Sequence, residues 1–286
     1  MKVAYVNGRY VPHTGAVVHI EDRGFQFADA VYEVWAVLDG RLSDAEGHFT
    51  RLARSLGELS ITPPRSRSAL LAILREVVRR NAVKNGIVYL QITRGTAPRD
   101  HAFPHADTPP TVVVTAKSLD LAYLEASAAK GVAVVTRPDT RWGRCDIKTV
   151  GLLPNVLAKQ SAKEAGAYEA WLVDKEGRVT EGASTNAWIV DAGGRLRTRD
   201  TAANILRGIT RGELITLANE LQMPVDERPF TVDEAKGARE AFLTAASAFL
   251  TPVVKIDEAS IGDGRPGPVT LRLRALYLDH ARRNAI

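Results

Sequence analysis

Apolar residues recur along the first third of the chain in patterns that predict both strands and helices. Val3–Val6 and Tyr10–Val11 flank Asn7-Gly8, which is a strong signal for a hairpin turn. Val31–Leu38 is rich in β-branched and aromatic residues and predicts a strand, which Asp39-Gly40 turns back. Two further buried strands are predicted at Ile87–Thr93 and Thr111–Thr115.

Two helices are predicted between these strands. Ser43-Asp44-Ala45-Glu46 has the capping-box pattern and predicts a helix that reaches about Leu59. The second helix follows Pro63-Pro64, because its apolar positions recur at helical spacing opposite arginines and a glutamate. Those apolar positions are Leu70, Leu71, Leu74, Val77 and Val78.

The composition changes between Ser118 and Gly131 to an Ala-, Leu- and Ser-rich stretch without a strand pattern. We place the link between two domains near its start, which gives domains 1–120 and 121–286. Regular β-α-β alternation is missing from the second part, so a doubly wound parallel sheet is disfavoured. Its predicted strands are Val132–Thr136, Ala170–Val173, Asn186–Val190 and Ala241–Thr244, and its predicted helices are Pro154–Glu164, Thr210–Leu221 and Val269–Arg283.

Composition and charge narrow the class of protein. Of the 286 residues, 45% are hydrophobic and 25% are charged, and no apolar run is long enough to cross a membrane. The chain starts without a secretory signal, so we expect a cytoplasmic protein. Cys145 is the single cysteine, which excludes an internal disulfide and a cysteine-based metal site. The net charge of +5 comes from scattered residues without a nucleic-acid motif, which favours anionic small molecules as ligands over nucleic acid.

Three motifs suggest chemistry that the surrounding sequence does not support. Gly262–Gly267 satisfies the G-x-G-x-x-G pattern, but the chain lacks the strand and acidic residue that a dinucleotide site needs afterwards, so a surface turn is predicted. His101 and His105 have Pro104 between them, which argues against a shared metal on a helix. Ser184 lacks the G-x-S-x-G context of a hydrolase nucleophile.

Lys148 is the residue with the strongest case for chemistry. It stands in Asp146-Ile147-Lys148, before a predicted helix, and the segment Val179–Asn186 (VTEGASTN) follows further along the chain. These two segments resemble the class IV family of pyridoxal-phosphate-dependent aminotransferases, and most of all its D-amino-acid members. Further matching segments stand in order along nearly the whole chain: Glu21–Phe27, Val31–Val34, His48–Leu52, Gly208–Arg211 and Phe242–Pro252.

The resemblance implies a fold, a cofactor and a catalytic pair. The fold is α+β, the two-domain fold type IV, with a small N-terminal α/β domain and a larger C-terminal mixed α/β domain. The cofactor is pyridoxal 5'-phosphate (PLP). Lys148 would hold it as a Schiff base and carry a proton at the substrate Cα, while Glu181 would pair with the pyridine nitrogen and keep it protonated. Taken alone, the two would be read as a surface lysine and a turn-capping carboxylate.

The resemblance also implies the residues that bind the cofactor. Arg51 would bind the phosphate through a charge-assisted fork, and Ile209 and Thr210 would do so from the start of a helix. Ala246 marks a departure from the family, because D-amino-acid members usually carry hydroxyl residues where this chain has Ala245-Ala246. Backbone N–H groups there, or Thr244 or Ser247, could substitute. The other predicted cofactor residues are Asn186 and Leu206.

Substrate choice depends on Thr93–His101, which resembles the R-x-H element that binds the substrate α-carboxylate in D-amino-acid aminotransferases. In that family the element comes from the neighbouring subunit, which implies a homodimer with its active site at the subunit interface. Arg99 would supply a planar fork, His101 a further donor and Tyr32 a hydroxyl, with Val34 beside it. The side on which the carboxylate lies selects the hand of the substrate.

The sequence therefore predicts transfer of an amino group from a D-amino acid, such as D-alanine, to 2-oxoglutarate in two half-reactions. An R-selective amine or branched-chain aminotransferase stays open as an alternative, because Ala245-Ala246 alter the phosphate loop. Aminodeoxychorismate lyase, a different reaction on the same cofactor, is disfavoured by the R-x-H element. No metal is expected at the site.

Overall fold

The protein is described by a computed structural model over residues 2–201 and 205–286. Contacts divide the chain into two units. The first takes in the residues up to Asp120 together with Ile147–Gly151 and Ala281–Ile286, and the second takes in Leu121–Asp146 and Leu152–His280. Lys148 thus belongs with the first unit, although it follows residue 120 in the sequence. The domain boundaries 1–120 and 121–286 stay a prediction.

In its described residues, the first unit contains an antiparallel sheet and three complete α-helices. Its strands are β1 (Val3–Val6), β2 (Arg9–Pro12), β3 (Ala30–Leu38), β4 (Arg41–Leu42), β5 (Gly86–Thr93) and β6 (Val112–Ser118), and its helices are α1 (Arg23–Phe27), α2 (Ala45–Glu58) and α3 (Arg67–Arg80). The strand order is β2-β1-β6-β5-β3-β4. The predicted hairpin is confirmed, with Asn7 and Gly8 at positive φ between β1 and β2.

One face of β3 supplies the core of this unit, because side chains alternate between the two faces of a strand. Val31 and Trp35 are fully buried, and the ring centroid of Trp35 lies 5.2 Å from that of Phe49 on α2. Leu74 and Val77 are fully buried on α3, at the spacing that the sequence predicted. The core therefore lies between this face of the sheet and the helices.

The predicted capping box at the start of α2 is wrong. Asp44 is the N-cap residue, in a left-handed conformation with φ 51°, and it makes no side-chain cap hydrogen bond. Ser43 is buried instead. At α3 the Ser66 hydroxyl accepts a hydrogen bond from the backbone N–H of Ala69, 3.3 Å away. Helix α2 exists where it was predicted, but its start is set by the turn after β4.

The second unit contains a larger mixed sheet and five helices in the described part of the chain. The strands are β7 (Val132–Pro138), β8 (Glu169–Val173), β9 (Arg178–Gly182), β10 (Asn186–Val190), β11 (Leu196–Thr198), β12 (Val225–Glu227), β13 (Phe230–Thr231), β14 (Glu240–Ala245), β15 (Phe249–Ile256) and β16 (Ala259–Ser260). The helices are α4 (Leu121–Lys130), α5 (Leu153–Glu164), α6 (Ile209–Glu220), α7 (Val232–Lys236) and α8 (Pro268–Arg283), whose last residues belong to the first unit.

The order of the larger sheet is β12-β11-β10-β14-β15-β7-β8-β9-β13, with β16 paired to β15. The pairs β15–β7, β7–β8 and β11–β12 are parallel and the other pairs are antiparallel, which confirms that the sheet is not doubly wound. Trp171, Trp188 and Phe242 are fully buried against it. In the described residues, no helix has the length and apolar character that a membrane crossing requires.

Two local features of this unit bear on the sequence predictions. Helix α4 occupies the Ala-, Leu- and Ser-rich stretch that shows no strand pattern and for which no helix was predicted. Its buried residues, Leu124 and Ala128, are four apart, and alanine is the strongest helix former. The G-x-G-x-x-G segment is a turn, as predicted, with Gly262 and Gly264 at positive φ.

Candidate active site

Lys148 lies outside the named strands, in a segment that is fixed against β3. The backbone N–H of Tyr32 donates to the Lys148 carbonyl at 3.0 Å, and the Lys148 N–H donates to the Ser55 hydroxyl at 3.3 Å. Thr149 forms an isolated bridge with Val31. The lysine amine lies 4.1 Å from the centroid of the Tyr32 ring. The backbone contacts on both sides therefore hold this amine over an aromatic ring.

Tyr32 and Val34 share the half-buried face of β3, opposite the face that packs into the core. The Tyr32 ring stacks on Tyr89 of β5, with centroids 5.5 Å apart, and the Tyr89 hydroxyl donates to Gln91 at 2.7 Å. Burial, with a smaller contribution from Tyr32, raises the pKa of Tyr89 to about 12. Tyr89 therefore keeps its proton at neutral pH, and the two predicted substrate residues stand beside a neutral aromatic wall.

Arg51, predicted to bind the phosphate, forms a buried ion pair. Its Nε and Nη2 donate to the two carboxylate oxygens of Glu33 at 2.7 and 2.8 Å, and His48 Nδ1 lies 2.7 Å from Glu33 Oε2. Burial by itself would raise the pKa of Glu33, but Arg51 and His48 lower it to about 2. Burial lowers the pKa of His48, so a neutral imidazole donates to this carboxylate. Glu33 fixes the orientation of the Arg51 guanidinium.

Glu181 lies on β9 in the second unit and is 5% exposed. One of its oxygens pairs with Arg141 Nη1, and the other accepts a hydrogen bond from the Asn186 amide at 2.9 Å. The backbone N–H of Leu206 donates to both oxygens, at 3.1 and 3.2 Å. The structure thus brings together Glu181, Asn186 and Leu206, three of the residues that the sequence predicted to bind the cofactor.

Arg141 is shared between two carboxylates. Its Nε and Nη2 donate to Asp139 at 3.0 and 2.7 Å, and Thr180 also donates to Asp139 at 2.7 Å. Burial raises the pKa of Glu181 above its ordinary value, and Arg141 opposes this only in part. The pKa of Asp139 is lowered despite its burial, chiefly by Arg141. The Arg141 guanidinium therefore compensates the negative charge of Asp139 better than that of Glu181.

The start of α6 carries Ile209 and Thr210, the predicted phosphate residues. Gly208 is the N-cap residue and provides no side-chain cap, which leaves the first backbone N–H groups and the positive end of the helix dipole for an anion. A side chain at position 208 would collide with the Asn186 amide. Asn186 Nδ2 also donates to the Leu206 carbonyl at 3.1 Å. A buried carboxylate and a helix N-terminus are thus linked through one amide, which fits a group that carries a pyridine nitrogen and a phosphate.

Ala246 lies in the tight turn between β14 and β15 and is half-buried. The Thr244 hydroxyl, one possible substitute donor, is buried on β14 and accepts a hydrogen bond from Trp188 Nε1 at 3.1 Å. Thr244 is thus committed to the core, and the half-buried Ser247 and the backbone of the turn are the remaining candidates for an anion.

Arg99 and His101 lie on an exposed loop of the first unit. The Arg99 guanidinium carbon lies 4.6 Å from the centroid of the Phe27 ring, and the His101 ring lies 5.5 Å from the same ring. Within residues 2–201 and 205–286, no group of three or more His, Cys, Asp or Glu side chains could hold a metal ion.

Sequence reasoning gave no role to Glu33, His48, Asp139 or Arg141. A signal for Glu33 existed, because a single carboxylate in a nine-residue apolar strand needs a buried partner. For Arg141 the sequence offers none, because its partner Glu181 is 40 positions away.

Comparisons with known proteins give a consistent result. The family model "Amino-transferase class IV" matches residues 30–256. The chain is 39% identical over 274 residues to a D-alanine aminotransferase of Staphylococcus haemolyticus, which covers 96% of both chains. It is 41% identical over 270 residues to a D-alanine aminotransferase of Bacillus licheniformis, covering 94% of this chain and 93% of that one.

Solved structures agree in fold. The branched-chain amino acid aminotransferase of Escherichia coli superposes with a TM-score of 0.89 at 26% identity, over 98% of this chain and 94% of that one. A branched-chain aminotransferase from Thermoproteus uzoniensis, solved with norvaline, gives 0.87 at 25% identity, over 97% of this chain and 93% of that one.

Proposed function

Because the chain belongs to the class IV aminotransferases, we propose that it transfers the amino group of a D-amino acid, such as D-alanine, to a 2-oxo acid such as 2-oxoglutarate, with PLP as cofactor. The observation that carries the cofactor is the buried Glu181 carboxylate, linked through Asn186 to an uncapped helix N-terminus. The full-length similarity to D-alanine aminotransferases supports the substrate.

When bound, PLP supplies an aldehyde that condenses with amines and a ring that withdraws electrons from the substrate Cα. Lys148 provides the amine that holds the cofactor and later carries the proton at Cα. The ring of Tyr32 borders the position of this amine. Glu181 accepts the hydrogen bond of the protonated pyridine nitrogen, and its burial makes that pairing strong.

The phosphate is assigned to the backbone N–H groups of Ile209 and Thr210, the turn at Ala246 and the guanidinium of Arg51. The helix N-terminus binds an anion without a side-chain charge, so the missing hydroxyls at Ala245 and Ala246 do not remove the site. Arg51 adds a guanidinium donor whose orientation Glu33 fixes.

Arg99 and His101 are assigned to the substrate α-carboxylate, with the Tyr32 hydroxyl as a further donor and Val34 lining the pocket beside it. Both Arg99 and His101 are exposed in the chain described here, as residues that serve a neighbouring subunit would be. The protein is therefore proposed to be a homodimer in which this loop completes the partner's active site. A cytoplasmic location is proposed, with Cys145 as a free thiol.

A branched-chain or R-selective amine aminotransferase is the second candidate. The solved structures of branched-chain enzymes favour it, because they superpose over nearly the whole chain. An aminodeoxychorismate lyase is the least favoured, because a carboxylate trap at Arg99 and His101 does not suit that substrate.

Three substrates separate these candidates. The PLP-loaded protein is mixed in turn with D-alanine, L-leucine and R-1-phenylethylamine, and the loss of the visible absorbance band of the bound cofactor is followed. We expect loss with D-alanine. A response to L-leucine alone or to the amine alone would contradict the proposed substrate. If no visible band forms after reconstitution with PLP, the enzyme assignment itself is wrong.

The carboxylate assignment has its own test. Arg99→Ala should reduce kcat/KM for D-alanine by about 100-fold or more, because a charged hydrogen bond to the carboxylate is lost. Any turnover of R-1-phenylethylamine, which has no carboxylate, should change little. Arg9→Ala, at an exposed arginine in the same unit, is the matched control. Equal losses for both substrates would make Arg99 a structural residue.

A further inference from the structure

Arg99 and His101 share one aromatic contact. Among the residues that the structure describes, the Arg99 guanidinium has no hydrogen-bond or ion-pair partner. Its carbon lies 4.6 Å from the centroid of the Phe27 ring, and the His101 ring lies 5.5 Å from the same centroid at an interplanar angle of 52°. Phe27 thus contacts both members of the R-x-H element.

This kind of contact leaves the donors of the arginine available. A cation is attracted to the face of an aromatic ring, and this attraction uses none of its N–H bonds. An ion pair with a carboxylate of the protein would occupy the fork that a substrate carboxylate needs. A side chain that is already held in place also loses less conformational freedom when the ligand binds.

Helix α1 fixes the loop in a second way. Arg23, buried at the start of this helix, donates from Nη1 to the Asp100 carbonyl at 2.6 Å and from Nη2 to the His101 carbonyl at 3.5 Å. Its Nε donates to Asp29 at 2.8 Å. Phe27 is the last residue of the same helix. One short helix therefore holds the backbone of the loop through Arg23 and its side chains through Phe27.

We propose that Phe27 is a positioning residue that sets the separation and orientation of Arg99 and His101 for a substrate carboxylate. This inference rests on the proposed function, in which these two residues hold the α-carboxylate of a D-amino acid. Phe27 contributes through Arg99 and His101, so it affects substrates and ligands that carry a carboxylate and leaves other steps of the reaction unchanged.

The test compares two ring deletions in the PLP-loaded protein. Phe27→Leu should raise the KM for D-alanine about tenfold, with kcat changed less than about threefold, because the weak ring contacts with Arg99, His101 and Arg23 are lost. The dissociation constant of propanoate, a carboxylate without an amino group, should rise to the same extent in calorimetry, without any turnover. Phe103→Leu is the matched control, since Phe103 is an exposed ring that lies 3.6 Å from the Arg94 guanidinium carbon. Phe103→Leu should change the KM for D-alanine and the dissociation constant of propanoate less than about twofold.

Two further variants separate positioning from folding. Phe27→Tyr keeps the ring, so its KM for D-alanine and its dissociation constant for propanoate should match those of the unmodified protein. If Phe27→Leu does not fold, Phe27→Met takes its place, because methionine fills similar space without a ring. In the Arg99→Ala background, Phe27→Leu should have a smaller effect than in the unmodified protein, because only its contact with His101 is left to act on the carboxylate.

The outcomes distinguish this inference from the proposed function. If the unmodified protein neither turns over D-alanine nor binds propanoate, the proposed function fails and this inference with it. A different outcome would make only the role of Phe27 wrong. In it, the unmodified protein turns over D-alanine and binds propanoate, Arg99→Ala loses these two activities, and Phe27→Leu keeps them. An undiminished effect of Phe27→Leu in the Arg99→Ala background would also overturn it, since Phe27 would then act on the fold.

Discussion

Glu33 in the first unit and Glu181 in the second are both buried and both meet an arginine, yet their pKa values move in opposite directions. Glu33 accepts two hydrogen bonds from Arg51 and one from His48, and its pKa falls to about 2. Glu181 receives one guanidinium nitrogen of Arg141, which also donates to Asp139 through Nε and Nη2, and burial raises the pKa of Glu181. The difference lies in how the arginine is shared.

Charge balance explains what the two clusters can do. Glu33 and Arg51 cancel each other beside a neutral His48, so this cluster is electrically complete and fixes the geometry of the fold. Among Glu181, Asp139 and Arg141, two carboxylates face one guanidinium, which leaves a buried negative charge that a further cation would stabilise. A protonated pyridine nitrogen is such a cation. We therefore expect the first cluster to contribute mainly to stability and to the orientation of Arg51, and the second to pair with the cation of a ligand.

The largest expected effect is on stability in the first cluster. Glu33→Gln should lower the free energy of unfolding of the apoprotein by about 3–5 kcal/mol, because it removes the charge that compensates the buried Arg51. Urea unfolding measures it. Glu76→Gln, which removes an exposed partner of Arg79 and Arg80, is the control and should cost far less. Similar losses in the two variants would contradict the importance of burial.

Glu181→Gln should act on function instead. We expect kcat/KM for D-alanine to fall about 100-fold or more, because a neutral amide does not keep the pyridine nitrogen protonated. The apoprotein should not be destabilised, since Arg141 keeps both of its bonds to Asp139. Steady-state kinetics and urea unfolding measure the two effects. Loss of stability without loss of turnover would reverse the roles of the two glutamates.

Asp139→Asn tests the sharing of Arg141. The guanidinium would then compensate Glu181 alone, so the raised pKa of Glu181 should fall and the affinity for PLP should weaken about tenfold. A titration of the apoprotein with PLP, followed by absorbance, gives the dissociation constant. Asp174→Asn, which removes the partner of Arg199 in the same unit, is the matched control. If the PLP affinity stays equal or rises in Asp139→Asn, the uncompensated negative charge of Glu181 and Asp139 does not contribute to cofactor binding.

The smallest effect is a pH dependence that comes from the first cluster. Because burial lowers the pKa of His48 in the fold, its protonation below pH 6.5 favours the unfolded chain. Stability should fall as the pH drops from 6.5 by at most about 1.4 kcal/mol per unit from this residue. Glu33 adds a second loss between pH 4.5 and about 2, where its carboxylate takes up a proton in the unfolded chain but stays ionised in the fold. In His48→Gln the decline should begin only near pH 4.5; an unchanged profile would exclude His48 as its cause.

The sequence predicted the elements of the fold more fully than the contacts of the site. The family resemblance and the α+β fold are confirmed, and β10 has the predicted bounds. Helix α4 was missed because it buries few side chains and so shows little amphipathic pattern. The capping box at Ser43 failed because tertiary packing buries the serine.

The electrostatics of the site could not be read from the sequence. The segment around Glu181 suggested a carboxylate at a pyridine nitrogen, but the pairing of Arg141 with both Asp139 and Glu181 is set by the register of β8 and β9 and by the chain after β7. In the same way, Arg51 was predicted as a phosphate ligand, and the pairing with Glu33 depends on how α2 packs on β3. The roles of the individual site residues stay predictions.

One measurement tests the contrast between Glu33 and Glu181 most directly. It is the increase in melting temperature caused by excess PLP, compared among the unmodified protein, Glu33→Gln and Glu181→Gln. Glu33→Gln should lower the melting temperature of the apoprotein by about 10 °C. In Glu181→Gln the apoprotein should melt no lower than the unmodified protein, and much of the increase with PLP should be lost, because ligand binding stabilises in proportion to the logarithm of affinity. The contrast between the two glutamates would be contradicted if the Glu181→Gln apoprotein melted as low as the Glu33→Gln apoprotein and its melting temperature still rose fully with PLP.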